Sequence, residues 1–195
     1  MVYAAETDPL CYPGTTVLKN LANLTDQGEL DEFEFAMYLS RAEEPLPVGD
    51  LGYDHYRLIH RHLFQDVYEW AGQQRTIRIG KNGNWFCYPE YLPQEMRRTF
   101  SSETLISVLS ATSPRSFAER AAPLLADINA GHPFREGNGR TQLAYLVLLA
   151  ATAGYGFDPD GLDPDRVMAA MIASFSGRLS PLIDLIDDLV LKSGR

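Results

Sequence analysis

Cysteine is scarce in this chain, with two in 195 residues. Cys11 and Cys87 could close at most one bridge, and they are not spaced as a zinc or redox motif requires. They read as reduced structural thiols. Basic charge is also short: 17 Lys and Arg stand against 26 Asp and Glu, giving a net charge of -9 and a pI near 4.9. That balance opposes the cationic footprint that non-specific nucleic-acid binding or an anionic membrane surface needs, while leaving nucleotides open to local sites. Long apolar runs are missing too. The longest nearly apolar stretch, Leu143 to Ala153, falls well short of the ~20 residues of a membrane span. The opening MVYAAETDPL has no basic region followed by an apolar core, so no signal peptide is read there. A soluble, cytoplasmic protein without membrane partners is expected. No internal repeat or low-complexity linker is evident.

What is present suits one compact domain over 1–195, with its core at about 50–190: 45% of residues are hydrophobic and 22% charged. Periodicity is mostly helical. Ile59, Leu63, Val67 and Trp70 recur at helical spacing in a segment that Gly72 would end. Pro93 to Ser110 reads as one helix. Ser116 with Glu119 reads as the capping box of another, carrying Phe117, Ala121, Leu124, Leu125 and Ile128, with Pro123 placed to kink it. The next helix should start at Asn138 or Gly139, present Leu143, Leu146, Val147 and Ala150, close at Gly154 and form the central buried helix. Asp163-Pro164 and Ser180-Pro181 read as two further starts, the second leading into Leu182, Ile183, Ile186, Leu189 and Val190. One stretch departs from this pattern. From Arg75 to Cys87 the chain alternates and is rich in β-formers around Asn82-Gly83, which predicts a single β-hairpin lying on the helices like a flap, at about 75–88.

The chemistry concentrates between two helices, in His132-Pro133-Phe134-Arg135-Glu136-Gly137-Asn138-Gly139-Arg140. Glycines on either side of Asn138 let backbone N–H groups converge on an anion, and a helix starting there adds its positive end, which suits a diphosphate. Arg140 supplies a charge-assisted clamp. Glu136 offers the single carboxylate that a phosphate-bound Mg²⁺ needs from a protein. His132 is the natural general base, its reference pKa of ~6.5 allowing it to take a proton from an attacking hydroxyl. Phe134 reads as a packing anchor. By physics alone the Gly-Asn-Gly piece equally fits a loop that merely turns between two buried helices.

The complete string is more specific. It resembles the signature of the Fic family, His-x-Phe-x-Asp/Glu-Gly-Asn-Gly-Arg-x-x-Arg, at every defined position from His132 to Arg140. DPLCYPGTTVLKN, IHRHLFQDVYEWAGQQRTIRIGKNGNWF and the helix before His132 also look like parts of bacterial Fic domains, so the resemblance covers nearly the whole chain. It implies a mainly α fold, a helical bundle around a central helix-loop-helix with a β-hairpin flap. It also implies a nucleotidyltransferase that moves AMP from Mg-ATP onto a Tyr, Ser or Thr hydroxyl of a target protein. His132 would deprotonate that hydroxyl. Glu136 would hold Mg²⁺, and Gly137, Asn138 and Gly139 would bind the α- and β-phosphates. Arg140 would reach the β-phosphate, with Arg135 also counted among the nucleotide-binding residues. The flap edge, Ile79, Gly80, Lys81, Asn82 and Gly83, would dock an extended target segment by β-augmentation.

One position departs from the signature. Leu143 stands where the family has its last arginine, understood to clamp the γ-phosphate. Three readings follow: a weakened adenylyltransferase, a transferase with another nucleotide-linked donor, or a nucleotide- and peptide-binding module with little catalysis. The family's inhibitory motif, Ser/Thr-x-x-x-Glu-Gly/Asn, has no convincing copy here, since Ser40 to Glu44 runs into Pro45, Thr25 to Glu29 into Leu30 and Thr99 to Glu103 into Thr104. Restraint would come from a separate antitoxin-like protein carrying an inhibitory helix, as in toxin-antitoxin pairs. Other residues read as structure. His55, His60 and His62 lack zinc spacing, Asp158, Asp160 and Asp163 fit turn and cap roles, and Trp70 and Trp85 fit core and flap packing.

Overall fold

Four of the eight described helices start at a side chain that accepts an otherwise unpartnered backbone N–H. The computed structural model describes residues 8–81 and 83–192. Asp26 caps α1 (Gln27–Ala42) through Glu29 N, and Ser101 caps α4 (Ser102–Leu109) through Thr104 N. Asp163 caps α7 (Pro164–Phe175) through Asp165 and Arg166 N. The capping box of α5 (Pro114–Gly131) is made by Ser113 with Ser116, three residues upstream of the expected pair. The remaining helices are α2 (Tyr53–Phe64), α3 (Leu92–Thr99), α6 (Asn138–Thr152) and α8 (Ser180–Leu189).

The central element is α5, not α6: it packs against α3, α4, α6, α7 and α8. Its alanines at 118, 121 and 122 admit neighbours closely, and Phe117, Leu124, Leu125 and Ile128 fill the space between them. Pro123 does not break it, because the proline lies on the exposed side, where water can satisfy the carbonyl left without an N–H. On α6 the buried face is Asn138, Thr141, Gln142, Tyr145, Leu146, Leu149 and Ala150, rotated from the expected stripe, with Leu143 and Val147 only half-buried. Two polar members of that face have local partners, Asn138 on the backbone of Phe134 and Thr141 on the carbonyl of Gly137, so burying them costs little.

Other boundaries differ from expectation for local reasons. Val67 and Trp70 lie beyond α2, packed from a turn. The segment 93–110 is two helices, because the chain leaves helical geometry at Phe100, the C-cap of α3, and Ser101 caps the next. At α8 the N-cap is Leu179, which places Ser180 and Pro181 inside the first turn.

The flap is shorter than its β-rich sequence suggests. Its strands are β1 (Gly80–Lys81) and β2 (Asn84–Trp85), antiparallel in the register Gly80↔Trp85 and Lys81↔Asn84, extended by Phe86 N donating to Ile79 O. The arm from Arg75 to Arg78 is not a strand; Arg75 N donates to Pro133 O, tying the arm to the 132–137 loop. A second small sheet pairs β3 (Tyr155–Phe157) with β4 (Val190–Lys192), so Val190 begins a strand and does not extend a helix. No described helix is long and apolar enough to cross a membrane.

Candidate active site

The loop from His132 to Gly137 joins α5 to α6 and is anchored by Phe134, which is fully buried. Its ring stacks on Tyr56 at 5.5 Å and on His60 at 3.8 Å, in a cluster that Tyr145 joins edge-on to Tyr56. His60 then fixes the loop by hydrogen bonds. Its Nδ1 accepts from Gly72 N at 2.8 Å, which leaves Nε2 as the donor to Glu136 O at 3.0 Å. Burial lowers its pKa to about 3, so the ring stays neutral and keeps that tautomer.

His132 ends α5 in the left-handed region, at φ 49° and ψ 61°, which costs a non-glycine residue on the order of 1 kcal/mol or more. Several contacts hold it there. Its N–H donates to Ile128 O at 2.8 Å, its carbonyl accepts from Arg75 Nε at 2.7 Å, and its ring stacks on Phe86 at 3.8 Å. Nδ1 lies 3.3 Å from Asn129 O, and because a carbonyl can only accept, the proton sits on Nδ1 and the lone pair on Nε2. Burial first, then the nearby positive charge of Arg75 and Lys81, lowers the pKa of His132 to about 3. The ring is therefore neutral across the physiological range.

At the other end of the loop, Gly137 has φ +79°, and a Cβ there would lie 2.5 Å from the ring of Phe64, so both backbone and space demand glycine. The side chain of Asn138 faces inward and braces the loop: Oδ1 accepts from Phe134 N at 3.0 Å and Nδ2 donates to Phe134 O at 2.8 Å. What the segment turns toward a ligand is therefore backbone. The N–H groups of Asn138, Gly139 and Arg140 fall in the first turn of α6, where no intrahelical acceptor exists.

Beside this helix end lies a cleft of about 350 Å³ whose walls include Glu34, Lys81, Arg135, Glu136 and Arg140. Glu136 Oε1 accepts from Gly137 N at 2.9 Å and lies 3.8 Å from Arg140 Nη2. Burial raises its pKa, helped by the negative charge of Glu34. Arg140 stacks over Phe64 and Tyr38, and its Nη2 is 2.5 Å from Glu34 Oε1 on α1. Glu34 in turn accepts from the hydroxyl of Tyr68. Arg135 is buried and pairs through Nε with Asp8 at 2.5 Å. Among the described residues no group of three or more His, Cys, Asp or Glu is placed to enclose a metal ion. A single carboxylate beside a helix start whose N–H groups could donate to phosphate nevertheless fits Mg²⁺, which takes most of its ligands from phosphate and water.

His132 lines a different hollow, of about 110 Å³, and Lys81 borders both spaces. Of the predicted flap edge, Ile79 and Gly80 are buried, Lys81 is half-buried, Gly83 is exposed at φ +79°, and Asn82 lies outside the described residues. Leu143 is half-buried on α6.

Four contributors were not singled out from the sequence. Arg75 donates to the carbonyls of His132, Ile77, Cys87 and Gly131, yet nothing local in sequence marks a residue that acts 57 positions away. Glu34, Tyr68 and Asp8 likewise reach the site only through tertiary packing. His60 had a readable signal, a histidine beside Ile59 and Leu63 on the buried side of α2.

Known proteins share this sequence and this fold. The "Probable protein adenylyltransferase y4lH" of Sinorhizobium fredii is 59% identical over 181 residues, which cover 92% of this chain and 94% of that protein. The "Probable protein adenylyltransferase Fic" of Escherichia coli is 31% identical over 189 residues, 96% of this chain and 94% of its own. In three dimensions the BepC protein of Bartonella tribocorum, solved with bound AMPPNP, superposes with a TM-score of 0.82 at 26% identity, covering 95% of this chain and 97% of that one. The model of the Fic/DOC family matches residues 50–150, spanning α2, the flap and the whole 132–140 signature, and the chain belongs to that family.

Proposed function

We propose that this protein is an adenylyltransferase that moves AMP from ATP onto a hydroxyl side chain of a target protein. The observation that carries the reading is the pairing of a neutral His132, its lone pair on Nε2, with an anion cradle at the start of α6 flanked by Glu136 and Arg140. The two relatives above bear the name adenylyltransferase, and BepC binds a non-hydrolysable ATP analogue.

In this reading the backbone N–H groups of Asn138 and Gly139 bind the α- and β-phosphates, and Arg140 contacts the β-phosphate. Glu136 is the residue that would hold Mg²⁺, which would supply positive charge to offset that of the phosphates. His132 Nε2 takes the proton of the acceptor hydroxyl, whose oxygen attacks the α-phosphorus in line while pyrophosphate leaves. Arg75 and Phe86 keep the imidazole aimed, and the flap edge from Ile79 to Gly83 aligns the target segment.

Leu143 favours a second reading, a donor with different distal phosphates, since no cation stands where the family has its γ-phosphate clamp. Restraint by a separate antitoxin-like protein carrying an inhibitory helix, in a cytoplasmic toxin or regulator, completes the proposal. One experiment tests both donor readings. The protein is incubated with bacterial lysate, Mg²⁺ and labelled ATP, GTP, UTP or CTP. Label on protein should appear most strongly with ATP and vanish in His132→Ala; equal labelling by that variant would sink the mechanism.

A further inference from the structure

The outer side of the flap is built differently from the side that meets the signature loop. Phe86 is buried against His132, whereas its neighbour Trp85, on the other side of an extended chain, is 45% accessible. Gly80, the cross-strand partner of Trp85, leaves room for the indole, since a Cβ there would lie 3.0 Å from the ring. The guanidinium of Arg78 lies over Trp85 at 4.6 Å and over Tyr88 at 3.9 Å, and Tyr88 meets Tyr91 edge-on at 6.2 Å. Tyr88 and Tyr91 are 44% and 58% accessible, so three exposed rings and one cation form a continuous surface. Arg78 has no counter-ion there. Its Nε is buried without a hydrogen-bond partner, and no ion pair among the described residues includes it, although Glu90 lies close by in sequence.

Resting on the transferase reading, we propose that this surface is a docking site, apart from the base and the nucleotide cleft, for a segment of the acceptor protein that carries a carboxylate among apolar side chains. Stacking uses the face of a guanidinium and leaves its N–H edge, which matches the two oxygens of a carboxylate. The rings restrict Arg78 before a partner arrives, and that lowers the entropy lost on binding. Trp, Tyr and Arg are also the residue types that carry most of the energy of protein interfaces. Nucleic-acid bases could stack on such rings too, but a net charge of -9 repels a polyanion at long range. A single carboxylate flanked by apolar groups meets mainly the local cation and the rings. Arg78 directly precedes the flap edge that starts at Ile79, so the patch selects among acceptors aligned on that edge without touching the transferred group.

The test follows the indole N–H signals of the full chain carrying isotope-labelled tryptophan, titrated to millimolar concentration with N-acetyl-Leu-Glu-Leu-amide or its glutamine counterpart. Expected is a saturable shift of the Trp85 signal with the glutamate peptide and none with the glutamine peptide, while buried Trp70 stays still. Arg78→Gln should weaken that binding about fivefold or more and leave ATP binding by calorimetry unchanged. In dilute lysate with labelled ATP, where acceptors are subsaturating, the same variant should label them more slowly by a similar factor. A Trp85 signal indifferent to the glutamate peptide, an equal response to the glutamine peptide, or a response to single-stranded oligothymidine alone would overturn the docking site. So would undiminished labelling by Arg78→Gln where transfer depends on His132. If no His132-dependent label appears on any protein, the transferase reading fails by itself, and the indole shifts decide whether the patch binds an acidic segment.

Discussion

Lowering the pH from 8 to 5 should cost the folded protein about 4 kcal/mol through two buried histidines. An ordinary imidazole titrates near 6.5, whereas His60 and His132 are lowered to about 3 by burial. Above 6.5 both rings are neutral in the folded and unfolded states, and their contribution is constant. Between 6.5 and 3 the unfolded chain takes up a proton at each ring and the folded protein does not, so stability falls as acid is added. For one ring this amounts to about 2 kcal/mol at pH 5 relative to pH 8. Against a typical total of about 5–15 kcal/mol the loss of both is large. Asp66, held below its usual 3.8 by the Arg41 guanidinium, loses its contribution only further down. Glu136, raised above 4.5 by burial, acts in the opposite direction, and Glu136→Gln separates its effect. The assay is denaturant unfolding at pH 8, 7, 6 and 5, followed by tryptophan fluorescence. His60→Gln retains one donor and one acceptor without a titrating group, and should halve the pH dependence. A midpoint that is flat from pH 8 to 5, or a slope unchanged by His60→Gln, would refute the reasoning.

Other perturbations report on the cleft. Leu143→Arg should raise AMP transfer from ATP several-fold if the missing cation limits the reaction; initial rates at subsaturating ATP measure it, and no change would remove Leu143 from the account. Glu34 competes with phosphate for Arg140 and adds negative charge to a polyanion site, so Glu34→Gln should tighten ATP binding about fivefold, equivalent to about 1 kcal/mol, by calorimetry. Weaker binding would instead make Glu34 a support for Arg140. Gly137→Ala must place a methyl against Phe64 at positive φ and should destabilise by about 2 kcal/mol or more in denaturant titrations, with transfer lost alongside.

Much of this site was legible because its chemistry is contiguous. His132, Glu136, Gly137 and Arg140 fall within nine residues, and the helix start at Asn138 is marked by the glycine before it. The contributors that went unread act across distance. Glu34 meets Arg140 from 106 residues away, and Asp8 meets Arg135 from 127. No periodicity encodes such pairs. The flap shows a different failure: Thr76, Ile77 and Ile79 have the composition of a strand, but Arg75 tethers that arm to the signature loop and the ladder begins only near Gly80. The β3–β4 sheet went unseen because three-residue strands on opposite sides of α7 and α8 carry no local signal. On α6 the inward turn of Asn138, Thr141 and Gln142 reversed the usual sorting by polarity, as site-bearing helices often do.

Arg75 links segments that would otherwise unfold separately. Through one guanidinium the carbonyls of Gly131 and His132 at the end of α5 are joined to those of Ile77 and Cys87 at the two roots of the flap. Amide hydrogens at these roots should therefore exchange with the loop as one cooperative unit, at a rate set by the core.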